Sequence, residues 1–197
     1  VKWPESMLPD VIAAMDDLDV NRTLLDSLKL SNREAVARAR QHWVEARREL
    51  AAARKALDKA RPDPQKQPDA QERDGLSQDL NAIAALSAQI DATIQDLIKA
   101  PRTQEGFRTV EDTAGDVASQ FATIKPPEAD SEIARAKDSF TQGFATIAPL
   151  ALGKEESLKE AQKNISDIAN RLAALVGDAA PASDSGQPGK DDEEQNV

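Results

Sequence analysis

Between residues 31 and 61 a large apolar side chain returns every seven positions, at Val36, Trp43, Leu50 and Leu57. Alanine returns at the same period, at Ala39, Ala46, Ala53 and Ala60, and each alanine is followed by an arginine: Arg40, Arg47, Arg54 and Arg61. Steps of three and four that sum to seven mark the buried seam of a long amphipathic helix. Ser31 with Glu34 three places on forms a capping-box signal for its start. The proline-rich stretch RPDPQKQPD, 61 to 69, ends it.

The same spacing predicts four more helices downstream. Leu76, Leu80, Ile83, Ser87, Ile90, Ile94 and Leu97 give a seam over about 71–100, with one polar interruption at Ser87. Phe107, Val110, Ala114, Val117, Phe121 and Ile124 give another over about 103–124. Ile133, Ala136, Phe140, Gly143, Ile147 and Leu150 give a third over about 130–151, widened by Phe144. In it Gly143 offers close approach to a neighbour, and Pro149 should kink or end the helix. Leu158, Ala161, Ile165, Ile168, Leu172 and Leu175 give a fourth over about 154–176, with Gly177 as C-cap. Upstream, Asp10 after Pro9 offers an N-cap for a helix over about 10–29, with Val11, Met15, Leu18 and Leu25 on its inner face and Arg22 interrupting it.

These elements predict an all-α fold, an antiparallel bundle of about six helices sharing one core from 10 to 177. Residues 1–9 read as an extended lead-in and 10–60 as a helical hairpin. Residues 70–177 read as an up-down four-helix unit. Residues 178–197 have too little apolar bulk to offset the entropy of ordering and read as a disordered acidic tail.

Charge adds a second layer. The 197-residue chain has a formal net charge of −10, while 31 to 61 carries nine Lys/Arg against four Asp/Glu. A basic helix in an acidic chain finds its counter-charge most cheaply inside the same molecule. An arginine flanking the seam lays its stem over it and reaches acids of the adjacent helix. Asp16, Asp19 or Asp26 of the first helix should therefore meet Arg40 or Arg33, while Arg47 and Arg54 need acids from elsewhere. Against this packing role stands a functional one. Any of Arg40, Arg47, Arg54 and Arg61 left unpaired forms a candidate interaction stripe for an acidic protein or anionic lipid.

The overall acidity argues against nucleic acid as a partner, since phosphate binding needs positive surface. Cysteine and tyrosine are absent, and His42 is the lone histidine. Thiolate chemistry is thereby excluded, and a zinc site or an acid–base pair has too few ligands to build on. No cofactor, no metal site and no catalytic residues are expected. No run of about 18 apolar residues is present to span a bilayer.

The segment 118 to 172 resembles a pattern seen in bacterial lipid-anchored surface proteins and secreted helical-bundle proteins. Its matching features are Lys125-Pro126-Pro127 after a helix, the stretch from Phe140 to Phe144 with an aromatic near a glycine, and the charged turn from Gly153 into the helix holding Asn164. The resemblance implies an extracytoplasmic binding or structural role, periplasmic or at the cell surface, and supplies no site residues.

The expected function is thus a non-enzymatic, extracytoplasmic bundle that binds a protein or surface partner. An anchor ahead of Val1 would add peripheral membrane association. One alternative is a cytoplasmic coiled-coil scaffold that meets membrane or protein through the basic helix 31–61. The other is a ligand-sensing bundle holding a small molecule near Ser87 or Gly143. Oligomeric state is left open by the sequence.

Overall fold

The structure, a computed structural model, describes residues 3–59, 70–124 and 131–179. Six helices follow one another: α1 (Leu8–Ser27), α2 (Asn32–Lys59), α3 (Ala70–Lys99), α4 (Gln104–Phe121), α5 (Glu132–Leu152) and α6 (Lys154–Ala179). No strand occurs among the described residues. The bundle of six helices that the spacing predicts is therefore the observed fold.

Helix ends follow local chemistry. Ser31 and Glu34 close the predicted box: the Glu34 amide donates to Ser31 Oγ at 3.2 Å and the Ser31 amide donates to Glu34 Oε2 at 2.9 Å. The bonds that the Glu34 carboxylate accepts from the Ser31 amide and then the Ser31 hydroxyl hold it below its ordinary range. Thr103 and Ser131 cap α4 and α5 by accepting from the amides of Gly106 and Ala134. A single residue, Gly153 at φ +91°, turns α5 into α6, and that backbone angle suits glycine alone.

Three boundaries differ from expectation. The lead-in is partly helical: a 3-10 turn over Glu5–Met7 runs into α1 at Leu8, and Pro9 sits in the first turn, where a missing N–H costs nothing. Pro149 lies inside α5 without ending it, three residues before the C-terminus of the helix. Helix α6 continues through Gly177 to Ala179, so that glycine is not a C-cap. The linker 61–69, the step at 125–130 and all of the tail beyond 179 lie outside the described residues.

The closed four-helix ring is α2, α3, α4 and α5, each packed on the next and α5 on α2. It differs from the unit read from 70–177, because α2 takes the place assigned to α6. The reason lies in bulk. Trp43 and Leu50 of α2 are fully buried and fill the ring with Phe107, Phe121 and Phe140, whereas α6 has no aromatic residue and its leucines stay partly or largely exposed. Trp43 stacks on Phe140 at 5.5 Å between ring centroids, and its indole N–H donates to the Phe140 carbonyl at 3.1 Å.

Helices α1 and α6 form an outer layer on α5. The predicted hairpin reverses direction at 28–31, but its arms are not packed along each other, because α1 and α2 lie on separate sides of α5. The second core beneath α1 is thin, made of Leu24, Ala145, Ala148 and Ala161. Polar contacts supplement it: Arg171 to Asp17 at 2.8 Å, Asn164 Nδ2 to Asn21 Oδ1 at 3.3 Å, and Thr23 to Gln142. Sandwiched between ring and layer, the C-terminal half of α5 is buried almost all round, from Ala145 to Ala151.

Candidate interaction face

The site is built on α2. Its inner seam is Ala39, Trp43, Ala46, Leu50 and Ala53, all buried, as the heptad reading requires. Burying one row fixes the next. Arg40, Arg47 and Arg54 sit one place after the seam alanines and stand exposed. Arg33 and Ala37 continue the row toward the N-terminus, and Val44 and Ala51 lie between the arginines. The outward stripe thus reads Arg33, Ala37, Arg40, Val44, Arg47 and Ala51, ending at Arg54, again in steps of four and three.

The arginines divide. Arg47 Nη1 lies 2.5 Å from Asp91 Oδ1 on α3, a pair about half exposed on both sides. Arg33, Arg40 and Arg54 have no ion pair among the described residues. The acids on α2 that could have neutralised them are engaged, Glu45 by Arg48 at 3.0 Å and Glu49 by Arg135 of α5 at 3.3 Å. Arg61 lies outside the described residues.

The expected pairing of α1 acids with Arg33 or Arg40 does not occur. Asp17 reaches Arg171 of α6, Asp19 reaches Arg22 of its own helix at 3.7 Å, and Asp16 faces α5. With α1 and α2 on separate sides of α5, those acids cannot come near the arginine row.

Helix α1 has an outward stripe of its own that the sequence reading did not single out. Leu8, Ile12 and Met15 are 40%, 47% and 46% exposed. Asp19, Arg22 and Asp26 continue the same four-three row, all exposed. Met15, which the spacing assigns to the inner face, lies on this outer row instead. In the structure the inner face is Ala14, Asn21, Leu24 and Ser27.

Between α1 and α5 runs a groove of about 420 Å³ with Ile12, Val20 and Ala134 among its lining and Asp16, Asp19 and Asp138 at its edge. Burial, and then the charges of Asp19 and Asp17, push the Asp16 carboxyl above its ordinary range. Burial and then Asp16 push Asp138 the same way. Glu111 on α4 is likewise raised, by burial and then by Glu160 of α6, and its Oε2 is buried without a hydrogen-bond partner. His42 is shifted downward by burial and by Arg38.

The two positions proposed for a ligand cavity are filled. Ser87 is not on the seam, because Leu86 occupies it at 1% exposure. At Gly143 the indole of Trp43 takes up the space where a side chain would stand. Among the described residues no group of three or more His, Asp or Glu is arranged to hold a metal ion, and no helix is long and apolar enough to cross a membrane. No family model, curated protein or solved structure matches the chain.

Proposed function

We propose that the protein is a non-enzymatic binding bundle whose α2 stripe docks an acidic partner, in an extracytoplasmic setting. The observation that supports this most is that Arg33, Arg40 and Arg54 stand exposed and without an ion pair among the described residues, on a helix whose opposite face is locked into the core by Trp43 and Leu50. A rigid helix with these arginines about 10 and 20 Å apart along its axis presents a fixed ladder of charge-assisted donors for carboxylates or phosphates. The extracytoplasmic setting draws on the resemblance of 118 to 172 to secreted and lipid-anchored bundles.

The test uses poly-L-glutamate and vesicles containing phosphatidylglycerol as probes of the two anion classes. Wild type should bind one or both, more weakly as salt rises, since exposed charges are screened. The double variant Arg40→Glu with Arg54→Glu should lose that binding at unchanged helicity. Equal binding by wild type and variant, or none by wild type, defeats the reading.

A further inference from the structure

The structure carries two helix faces that are exposed, patterned like buried seams, and opposite in character. One is the basic α2 stripe. The other is the α1 stripe, apolar at Leu8, Ile12 and Met15 and acidic at Asp19 and Asp26. Exposed large apolar side chains in a regular row mark interaction surfaces more often than chance scatter does. Because α1 and α2 lie on separate sides of α5, one chain cannot bring its own two faces together. We infer that the α1 stripe of one molecule docks antiparallel onto the α2 stripe of a second copy, joining molecules head to tail. This rests on the reading of α2 as a docking face and names its partner.

The register follows from the spacing. In an antiparallel pair of helices, the first position of one seam step faces the second position of the other. Setting Asp26 opposite Arg33 then puts Asp19 opposite Arg40, since each pair of like residues is seven apart, about 10.5 Å along a helix. Both arginines are free of ion pairs among the described residues. Asp19 holds only Arg22, at 3.7 Å and exposed, which yields readily to a shorter pair. One step further Met15 meets Val44, which is half-buried, and Leu8 meets Ala51. Alanine at 37 and 51 lets the backbones approach. Ile12 falls opposite Arg47, whose aliphatic stem can cover it while its head stays on Asp91. A parallel arrangement would set Leu8 against Arg33 and leave the acids unmatched, while a slip of seven would set either Ile12 against Arg40 or Asp19 against Arg47, which Asp91 already holds.

Two different surfaces meet in this contact, so it is heterologous and does not stop at a dimer unless the ring closes. The mean mass in solution should therefore climb with concentration past that of two chains.

The experiment is sedimentation velocity on the full chain over a range of concentrations, with charge-reversal variants whose substituted positions are all exposed. Wild type should associate at low salt, and less at high salt. Asp19→Lys with Asp26→Lys should stay monomeric, as should Arg33→Glu with Arg40→Glu, each weakened at least about tenfold, because like charges then face each other. An equimolar mixture of the two variants should associate again, since each supplies the face the other lacks. Circular dichroism identical to wild type excludes unfolding as the cause. Wild type that is monomeric at every concentration overturns the inference. If Arg40→Glu with Arg54→Glu still abolishes binding to the anionic probes, the proposed function survives that result. Association that the variants leave unchanged, or a mixture that stays monomeric, also overturns it.

Discussion

Gly143 of α5 and Trp43 of α2 occupy one volume. A Cβ placed on Gly143 would collide with the indole and come within 3.1 Å of the Ala39 carbonyl. Trp43 is fully buried there, with its N–H spent on the Phe140 carbonyl. The missing side chain on one helix and the largest side chain on the other are a single packing decision. It sets how closely α2 and α5 lie, and through α2 it sets where the arginine row faces.

Gly143→Ala should therefore cost about 1–3 kcal/mol by overpacking, measured by urea unfolding. Trp43→Ala alone should cost about 3–5 kcal/mol. In a Trp43→Ala background the added methyl has room, so the two changes should be strongly non-additive. Additive costs would mean that the glycine serves α5 itself and not the contact.

Leu86 and Ser87 are adjacent on α3 and separate two accounts of its seam. Leu86→Ala should cost about 2–5 kcal/mol, as large-to-small changes in a core do. Ser87→Ala, at a half-buried position, should leave the urea midpoint nearly unchanged.

The truncation series should be graded by burial. Ile94→Ala and Phe121→Ala, at the heart of the ring, should cost about 2–5 kcal/mol. Leu80, Ile165 and Leu172 are only partly buried, so their alanine variants should fall clearly below that range in thermal unfolding. Equal costs in the two groups would mean that the partly buried positions pack as firmly as the fully buried ones.

Asp16 and Asp138 set a pH dependence across the α1–α5 groove. Each carboxyl titrates above its ordinary value in the fold, so the folded state holds the proton more tightly than the unfolded chain. Their contribution to stability is complete below the ordinary carboxyl range and is lost as pH rises through the raised values. Asp138→Asn should accordingly raise Tm at about pH 7 and make little difference near pH 3, below the unperturbed Asp value. A variant less stable than wild type at neutral pH would show that the charged carboxylate is needed for a contact.

The seams of α2, α4 and the inner face of α5 were legible because each has one apolar face with bulky residues at unambiguous spacing. Every position read for α4 is buried. At Leu86 and Ser87 the period is met equally well by either residue, and the ambiguity hid a broad buried face that also takes in Thr93 beside Ile94. The outer layer was illegible for another reason. Apart from Leu24, its buried contacts are alanines, Asn21 and Ser27, residues that carry no periodic hydrophobic signal, so the spacing sets Met15 inward where the structure exposes it, while Leu25 of the same row does pack against the thin core. Which helices neighbour one another is written in no single seam. It took the volume of Trp43 to bring α2 into the ring, and with that the arginine row was only partly satisfied, by Asp91 and not by α1.

The outer layer also fixes an order of events during synthesis. Helix α1 leaves the ribosome first, yet its partners are Gln142, 119 positions later, and Arg171, 154 positions later. Neither α3 nor α4 offers it a surface, so the inner face of α1, with Ala14 and Leu24, must wait uncovered until α5 and α6 have emerged. Contacts so distant in sequence slow folding relative to a bundle of consecutive neighbours. For the interval in which α2 to α5 are made, the inner face of α1 therefore stays open to misdirected contacts.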